Sequence, residues 1–171
     1  VELPPLMITE IMYKPLPPTL EEDPAGQFTI ALMEFLEVTN TGAEPVPLAK
    51  VTFAKGVTFT FDGVAVSRLE PGQSVVVPRN RQAFAARYGT NGILIAGEFS
   101  GTLTDSGEAI SLAGPLGEVV FDFRYSGSWY AEANGGGHSL VNKDPLAPTG
   151  TLGDAARWRP SDAVNGSPGR A

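Results

Sequence analysis

The stretch GTLTDSGEAISLAGPLGEVVFDFRY, residues 101–125, decides the fold of this chain. Two clusters of turn residues, 105–108 and 114–117, divide it into runs that are apolar at alternate positions. In the second run Val119, Phe121 and Phe123 share one face and point away from Val120 and Asp122. This period of two predicts a half-buried β-strand, and its apolar face needs a second layer to cover it. We therefore expect a hairpin in a two-layer β structure.

Composition narrows the fold class and the classes of partner. The chain has 171 residues, of which 42% are apolar, so residues 1–171 suit a single domain with a core of its own. Twenty glycines and fifteen prolines favour many short strands joined by tight turns. The net charge of −7 disfavours binding to nucleic acid or to anionic membrane surfaces. Cysteine is absent, which excludes disulfides and thiolate catalysis, and no apolar stretch is long enough to predict a membrane span.

The N-terminal part predicts one strand with an unusual residue and then a long loop. Residues 6–13 are apolar enough for a core strand. If the strand is regular, Glu10 lies between Ile8 and Met12 on an inward face. A buried carboxylate has to be paired or neutral, so we expect Glu10 to accept hydrogen bonds from an amide or a hydroxyl of a neighbouring segment. Residues 14–30 follow as a polar, proline-rich loop that is longer than connections usually are.

The remaining segments complete an all-β pattern with one short helix. Strands are predicted at 32–40, 46–53, 57–61, 74–77 and 138–142. Apolar residues of both parities at 32–40 indicate a strand that is covered on both faces or one that carries a bulge, and a central strand is favoured. Asn80 can cap a helix over 81–88, in which Phe84 and Tyr88 share a face and Gly89 ends the helix. Residues 143–171 predict an irregular C-terminal tail that Trp158 anchors to the core.

Six segments together carry a resemblance to a known family. They are ITEIMYKP (8–15), EFLEVTNTGAEPVPL (34–48), LEPGQSVVVPRNRQAFAARYG (69–89), the stretch 101–125, NGGGHSLV (134–141) and GSPG (166–169). In order and spacing they resemble the lamin tail domain, in the version found in bacterial surface and secreted proteins. The resemblance implies an immunoglobulin-like β-sandwich with no established catalytic residues. It also supports a structural role for Glu10, with a bound cation as the alternative, because bacterial members commonly have a glutamate there. Compared with the family, loop 14–30 resembles an insertion.

Catalytic arrangements find little support in the sequence. His138 and Ser139 are adjacent, and neighbouring residues of a strand point to opposite faces, so they cannot form a nucleophile and base pair. Glu34 and Glu37 lie an odd number of positions apart, which places them on different faces of a regular strand. A pair formed by Asp105 and Glu108 brackets a tight turn, where local backbone hydrogen bonds are the expected role. We expect no enzyme.

Two surfaces are candidates for binding a ligand or a partner. Arg79, Arg81 and Arg87, with Arg68 nearby, make a locally basic stretch that either binds an anion or is a solvated helix face. Trp129 and Tyr130 either stack on a sugar or a partner, or seal one end of the sandwich.

Calcium is an open alternative. The acidic loop residues Glu21, Glu22 and Asp23, or the turn carboxylates, offer oxygen ligands, although the spacing of an EF-hand is missing. No other cofactor is expected.

The sequence therefore predicts a non-catalytic interaction or structural module of a secreted or cell-surface bacterial protein, which serves adhesion, docking or architecture. Its expected partner is a protein or another cell-surface component. The alternative is an extracellular carbohydrate- or nucleic-acid-binding module that uses the Trp-Tyr pair or the arginines.

Overall fold

Residues 2–169 are described by a computed structural model of the chain; residue 1 and the last two residues of the predicted tail, 170 and 171, lie outside them. Twelve strands and one α-helix, α1 (Arg81–Tyr88), occur in this part of the chain. The strands are β1 (Leu6–Met12), β2 (Phe35–Asn40), β3 (Val46–Pro47), β4 (Thr52–Lys55), β5 (Phe59–Thr60), β6 (Arg68–Leu69), β7 (Ser74–Pro78), β8 (Leu94–Ile95), β9 (Ala109–Ala113), β10 (Val119–Arg124), β11 (Leu140–Asn142) and β12 (Trp158–Pro160). Short 3-10 helices cover Ile30–Met33, Thr149–Thr151 and Ala155–Arg157.

The strands form the two layers of an immunoglobulin-like β-sandwich. The larger sheet has the order β12-β11-β1-β2-β7-β8, and the second sheet has the order β10-β9-β4-β5. A two-stranded ribbon joins β3 and β6. All pairs are antiparallel except β7 with β8. This confirms the fold class expected from the period-two runs and from the resemblance.

The main core lies between the two sheets. Ile8, Val38 and Val77 from the larger sheet and Leu112 and Phe121 from the second sheet belong to one buried cluster. Trp158 is fully buried and stacks on Phe123 at a centroid distance of 5.9 Å, so it anchors the C-terminal part as predicted. Each large apolar side chain buried in this way stabilises the fold by about 1.5–3 kcal/mol.

A second, smaller core lies on the outer face of the larger sheet, beneath α1. Phe84 and Tyr88 of the helix contact each other at 4.6 Å between ring centroids and pack on Phe35 of β2. Asn80 accepts a hydrogen bond from the Ala83 amide, and Gly89 ends the helix with a φ of 70°. The central strand β2 is thus covered on both faces, as its apolar residues of both parities predicted.

Bulges in β1 and β10 change the face of the sheet on which some side chains lie. In β1 the register shifts between Ile8 and Glu10, with Thr9 as the extra residue. Ile8 therefore faces the main core, whereas Glu10 and Met12 lie on the outer face, so the prediction that all three share an inward face is wrong. In β10 a second shift leaves Val119 56% exposed, although the alternation predicted that it is buried.

Some boundaries also differ from the predictions. The run at 46–53 is divided into β3 and the start of β4, because Leu48 and Val51 close a turn through a backbone hydrogen bond. The strand predicted at 138–142 begins at Leu140, and the region from 143 onwards contains β12, which pairs with β11. It is therefore not irregular throughout. Within residues 2–169, no helix is long and apolar enough to cross a membrane.

Candidate functional site

Glu10 lies on the outer face of the larger sheet and is 2% exposed. Its Oε2 atom accepts a hydrogen bond from Ser139 Oγ at 2.6 Å and another from the Ser167 amide at 2.9 Å. The predicted hydrogen bonds from a hydroxyl and an amide of neighbouring segments are therefore present. They join β1 to the start of β11 and to the C-terminal segment.

A second buried carboxylate faces the same segment. Glu37 is opposite Glu10 in the register of β1 and β2 and is 7% exposed. Its Oε1 accepts a hydrogen bond from Thr9 Oγ at 2.6 Å, and its Oε2 accepts one from the Gly169 amide at 2.6 Å. Sequence reasoning considered Glu37 only in relation to Glu34 and missed this role. The available signal was a glutamate in the middle of a strand predicted to be buried on both faces.

We call Glu10 and Glu37 the carboxylate pair, and its electrostatics favour protonation. Burial and, to a smaller extent, the charge of Glu37 raise the pKa of Glu10 to about 7, although the hydrogen bonds from Ser139 and Ser167 act in the opposite direction. Burial also raises the pKa of Glu37. Within residues 2–169 neither carboxylate forms an ion pair. The hydrogen bonds therefore come from neutral groups.

The segment held by the carboxylate pair, residues 163–169, is called the C-terminal strap. The Tyr88 hydroxyl donates to the Asn165 carbonyl at 2.7 Å, and the Asn165 amide donates to the Gly137 carbonyl at 2.8 Å. Gly166 has a φ of 77°, and a Cβ atom at this position would collide with Glu10 Oε2 and with the Ser139 side chain. Only glycine fits this close approach without rearrangement.

The residues considered for hydrolysis are engaged elsewhere. His138 Nδ1 lies 2.7 Å from the Ser161 carbonyl, whereas Ser139 donates to Glu10, so the two are not partners. Glu34 is 3% exposed and accepts a hydrogen bond from the Leu103 amide at 2.8 Å. Glu108 accepts one from the Thr104 amide at 2.7 Å. These polar groups therefore form hydrogen bonds within their own chain.

The predicted basic stretch does not form one accessible surface. Arg87 has a side chain only 3% exposed, and it binds both carboxylate oxygens of Glu22 at 2.9 Å. It also donates to the carbonyls of Leu16 and Pro17. Its assignment to a binding surface is therefore wrong, because loop 14–30 occupies its donors.

The other two arginines of this stretch differ in exposure. Arg81 is exposed, and its backbone amide binds the Glu98 carboxylate at 2.7 Å. Arg79 is half-buried, and its Nε has no hydrogen-bond partner within residues 2–169.

Trp129 and Tyr130 are half-buried and pack against the main core. The Tyr130 hydroxyl lies 2.8 Å from the Ala155 carbonyl and 2.7 Å from the Trp158 carbonyl. The pair therefore covers the core beside β12, which is the sealing role, and does not stand out as a platform for stacking.

The acidic loop is also engaged with its own chain. Glu22 binds Arg87, and Asp23 accepts hydrogen bonds from the amides of Gln27 and Phe28 at 2.8 and 2.7 Å. The Arg87 hydrogen bonds lower the pKa of Glu22. Among the described residues, no group of three or more His, Cys, Asp or Glu side chains is placed to hold a metal ion.

Two surface depressions are prominent among the described residues. The smaller, of about 430 Å³, lies beside Tyr13, Lys14, Glu34 and Asp105. Burial raises the pKa of Glu34 there to about 8. The buried Tyr13 hydroxyl has no hydrogen-bond partner within residues 2–169.

The larger depression, of about 740 Å³, is called the proline groove. Three segments line it: the N-terminal residues 2–5, the turn at 42–47 and the turn at 115–118. Five prolines form much of its wall, namely Pro4, Pro5, Pro45, Pro47 and Pro115. Sequence reasoning missed it, because its three segments are far apart in the chain; the prolines beside turns were the available signal.

Comparison with known proteins places this structure in a family. Searches of the curated proteins and of the solved structures each found no match. The family model described as the Lamin Tail Domain matches residues 3–127, which is well over half of the chain. The matched range ends before β11, β12 and the C-terminal strap. The chain belongs to the lamin tail domain family, whose members are immunoglobulin-like and generally non-catalytic modules.

Proposed function

We propose that this chain is a non-catalytic docking module of a secreted or cell-surface bacterial protein and that it holds a protein or another cell-surface component. The observation that carries the proposal is the proline groove, which is open, largely apolar and formed by the segment 2–5 and two turns. Exposed apolar depressions of this size are typical of interaction sites.

The absence of an assembled catalytic group among the described residues supports the non-catalytic part. Ser139, Glu10 and Glu37 accept or donate hydrogen bonds within the fold, and the ring of His138 faces a backbone carbonyl. A catalytic carboxylate or nucleophile has to reach substrate, whereas these groups are buried or face their own chain.

The alternative of a carbohydrate or nucleic-acid binder receives less support. Arg87, one of the candidate arginines, is enclosed by loop 14–30, and the Trp-Tyr pair packs on the core. A net charge of −7 also opposes a phosphate backbone.

Two measurements test the proposed function. In the native bacterium, an antibody against the domain should label intact cells or the culture medium, and labelling that requires permeabilised cells would contradict the location. The purified domain should not hydrolyse ester, phosphodiester or glycoside substrates. Turnover that is lost on substitution of Glu10, Glu34 or Ser139, while the variant stays folded, would contradict the non-catalytic part.

A further inference from the structure

The proline groove has an apolar surface that this chain leaves in solvent. Leu3 is 48% exposed and Leu116 is 76% exposed, and both line the groove. Clustered apolar side chains of this kind gain free energy when a partner covers them.

The charge of the groove has one sign. Glu2, Glu44 and Glu118 line it, and among residues 2–169 no lysine or arginine does. Within residues 2–169 none of the three glutamates forms an ion pair. The net charge of −7 adds a field of the same sign around the molecule. Such a surface attracts cationic partners and repels anionic ones.

The groove is also held in a fixed shape. The Thr41 amide donates to the Pro5 carbonyl at 2.9 Å, which fastens the N-terminal segment to the turn at 42–47. Asn40 Nδ2 donates to the Glu44 carbonyl at 2.9 Å. Glu118 Oε1 accepts a hydrogen bond from the Leu116 amide at 2.8 Å and thereby fixes the third wall. A preformed site loses little conformational entropy when it binds.

From these observations we infer that the proline groove docks a short basic segment of a partner protein. An aromatic side chain of that segment packs against the prolines and Leu116, and flanking lysines or arginines lie beside Glu2, Glu44 and Glu118. Aromatic and arginine side chains are the residues that most often dominate small interfaces. This inference rests on the proposed function, because it names the partner chemistry of the same docking site.

A defined peptide provides the test. The probe has one tryptophan flanked on each side by two arginines, and its counterpart carries glutamates in place of the arginines. We expect the arginine peptide, titrated to millimolar concentration, to shift the backbone amide resonances of Leu3, Gly42 and Leu116 in heteronuclear NMR spectra. The glutamate peptide should shift none of them. Equal binding of both peptides, shifts located elsewhere, or no binding of either would overturn the inference.

Matched variants separate the groove from general effects. Leu116→Glu should abolish binding, whereas Leu146→Glu, at a position 79% exposed and outside the groove, should leave it unchanged. Glu44→Lys should weaken binding about fivefold or more at low ionic strength, and added salt should remove most of that difference. Glu21→Lys makes the same change in net charge away from the groove and should have a smaller effect. Equal weakening by Glu44→Lys and Glu21→Lys would overturn the local role of the groove charges.

A second copy of the chain is the competing occupant. Sedimentation should show a monomer at all concentrations used for NMR, because two domains of charge −7 repel each other. If the protein forms a dimer that the substitution Leu116→Glu dissociates, the occupant of the groove is a second copy of the chain, and the inference of a basic segment is overturned. If the peptide fails to bind while the antibody labels the cell surface and no turnover is found, only the inference of a basic segment is contradicted. Turnover or an intracellular location contradicts the proposed function itself.

Discussion

Glu10 and Glu37 lie directly opposite each other on adjacent antiparallel strands, and each carboxylate accepts a hydrogen bond from a backbone amide of the C-terminal strap. Like charges at opposed positions of a sheet repel, and burial strengthens the repulsion. Protonation relieves this repulsion, because a protonated carboxyl is neutral and still offers oxygen acceptors. The raised pKa of each group favours protonation. The strap is therefore attached where the protonation of the protein changes near neutral pH.

We expect the free energy of unfolding to contain a part that falls as pH rises. The pKa of Glu10 is about 7 in the folded chain against an ordinary value of 4.5, so the folded state binds more protons between these values. This stabilisation is fully present below pH 4.5 and is lost as pH rises through about 7. Glu34, with a pKa of about 8, extends the same trend. Glu22 acts in the opposite direction at lower pH, because its pKa is lowered.

Urea unfolding at intervals between pH 5 and 8 measures this dependence. Glu10→Gln removes the titrating group and should flatten the slope between pH 5 and 7 relative to the unsubstituted protein. Equal slopes for the two proteins would show that Glu10 does not titrate differently in the folded and unfolded states.

Truncation of Glu10 should be more costly than its neutralisation. Glu10→Ala leaves the Ser139 hydroxyl and the Ser167 amide without their acceptor, so we expect a loss of about 1–3 kcal/mol in the free energy of unfolding. Glu10→Gln keeps an oxygen acceptor and should lose less, because the donors are neutral groups. Thermal melts at pH 7 measure both variants. If Glu10→Ala leaves the free energy of unfolding unchanged, this account of the residue is contradicted.

Gly166→Ala should destabilise the attachment of the C-terminal strap. The new Cβ would meet Glu10 and Ser139 in addition to the strain of a φ of 77°. Gly63→Ala is the matched control, since Gly63 has a φ of 67° and open space around its Cβ direction. Faster hydrogen exchange of the Gly169 amide, and a larger loss of stability than in Gly63→Ala, are the expected results. Equal losses in the two variants would mean that backbone strain alone matters.

Local signals in the sequence predicted much of the fold. Helix α1 was predicted with its observed bounds, because all of its signals lie within a few residues of one another. They are the cap at Asn80, the pair Phe84 and Tyr88, and Gly89 at the end. The face of a strand after a bulge depends instead on its neighbour. One extra residue at Thr9 turned Glu10 to the outer face, and alternation alone could not reveal this.

The parts that sequence reasoning missed rest on distant contacts. The hydrogen bond from Ser167 to Glu10 joins residues 157 positions apart, and the strap residues have the composition of an ordinary turn. The proline groove likewise brings together three segments that are separated in the chain. No local pattern specifies such neighbours, because they follow from the packing of the whole sandwich.

Arg87→Ala should destabilise the protein and release loop 14–30. The substitution removes hydrogen bonds to Glu22 and to the carbonyls of Leu16 and Pro17 from a side chain that is 3% exposed. Loss of charge-assisted bonds at a buried position leaves several acceptors unsatisfied, so we expect a cost of about 2–4 kcal/mol. Arg81→Ala, which removes an exposed arginine from the same helix, should change stability by less than about 0.5 kcal/mol. Urea unfolding measures both costs, and limited proteolysis should cut within residues 14–30 faster in Arg87→Ala only. Equal stability and equal proteolysis of the two variants would show that Arg87 does not hold the loop, and the residue would then be available to a ligand.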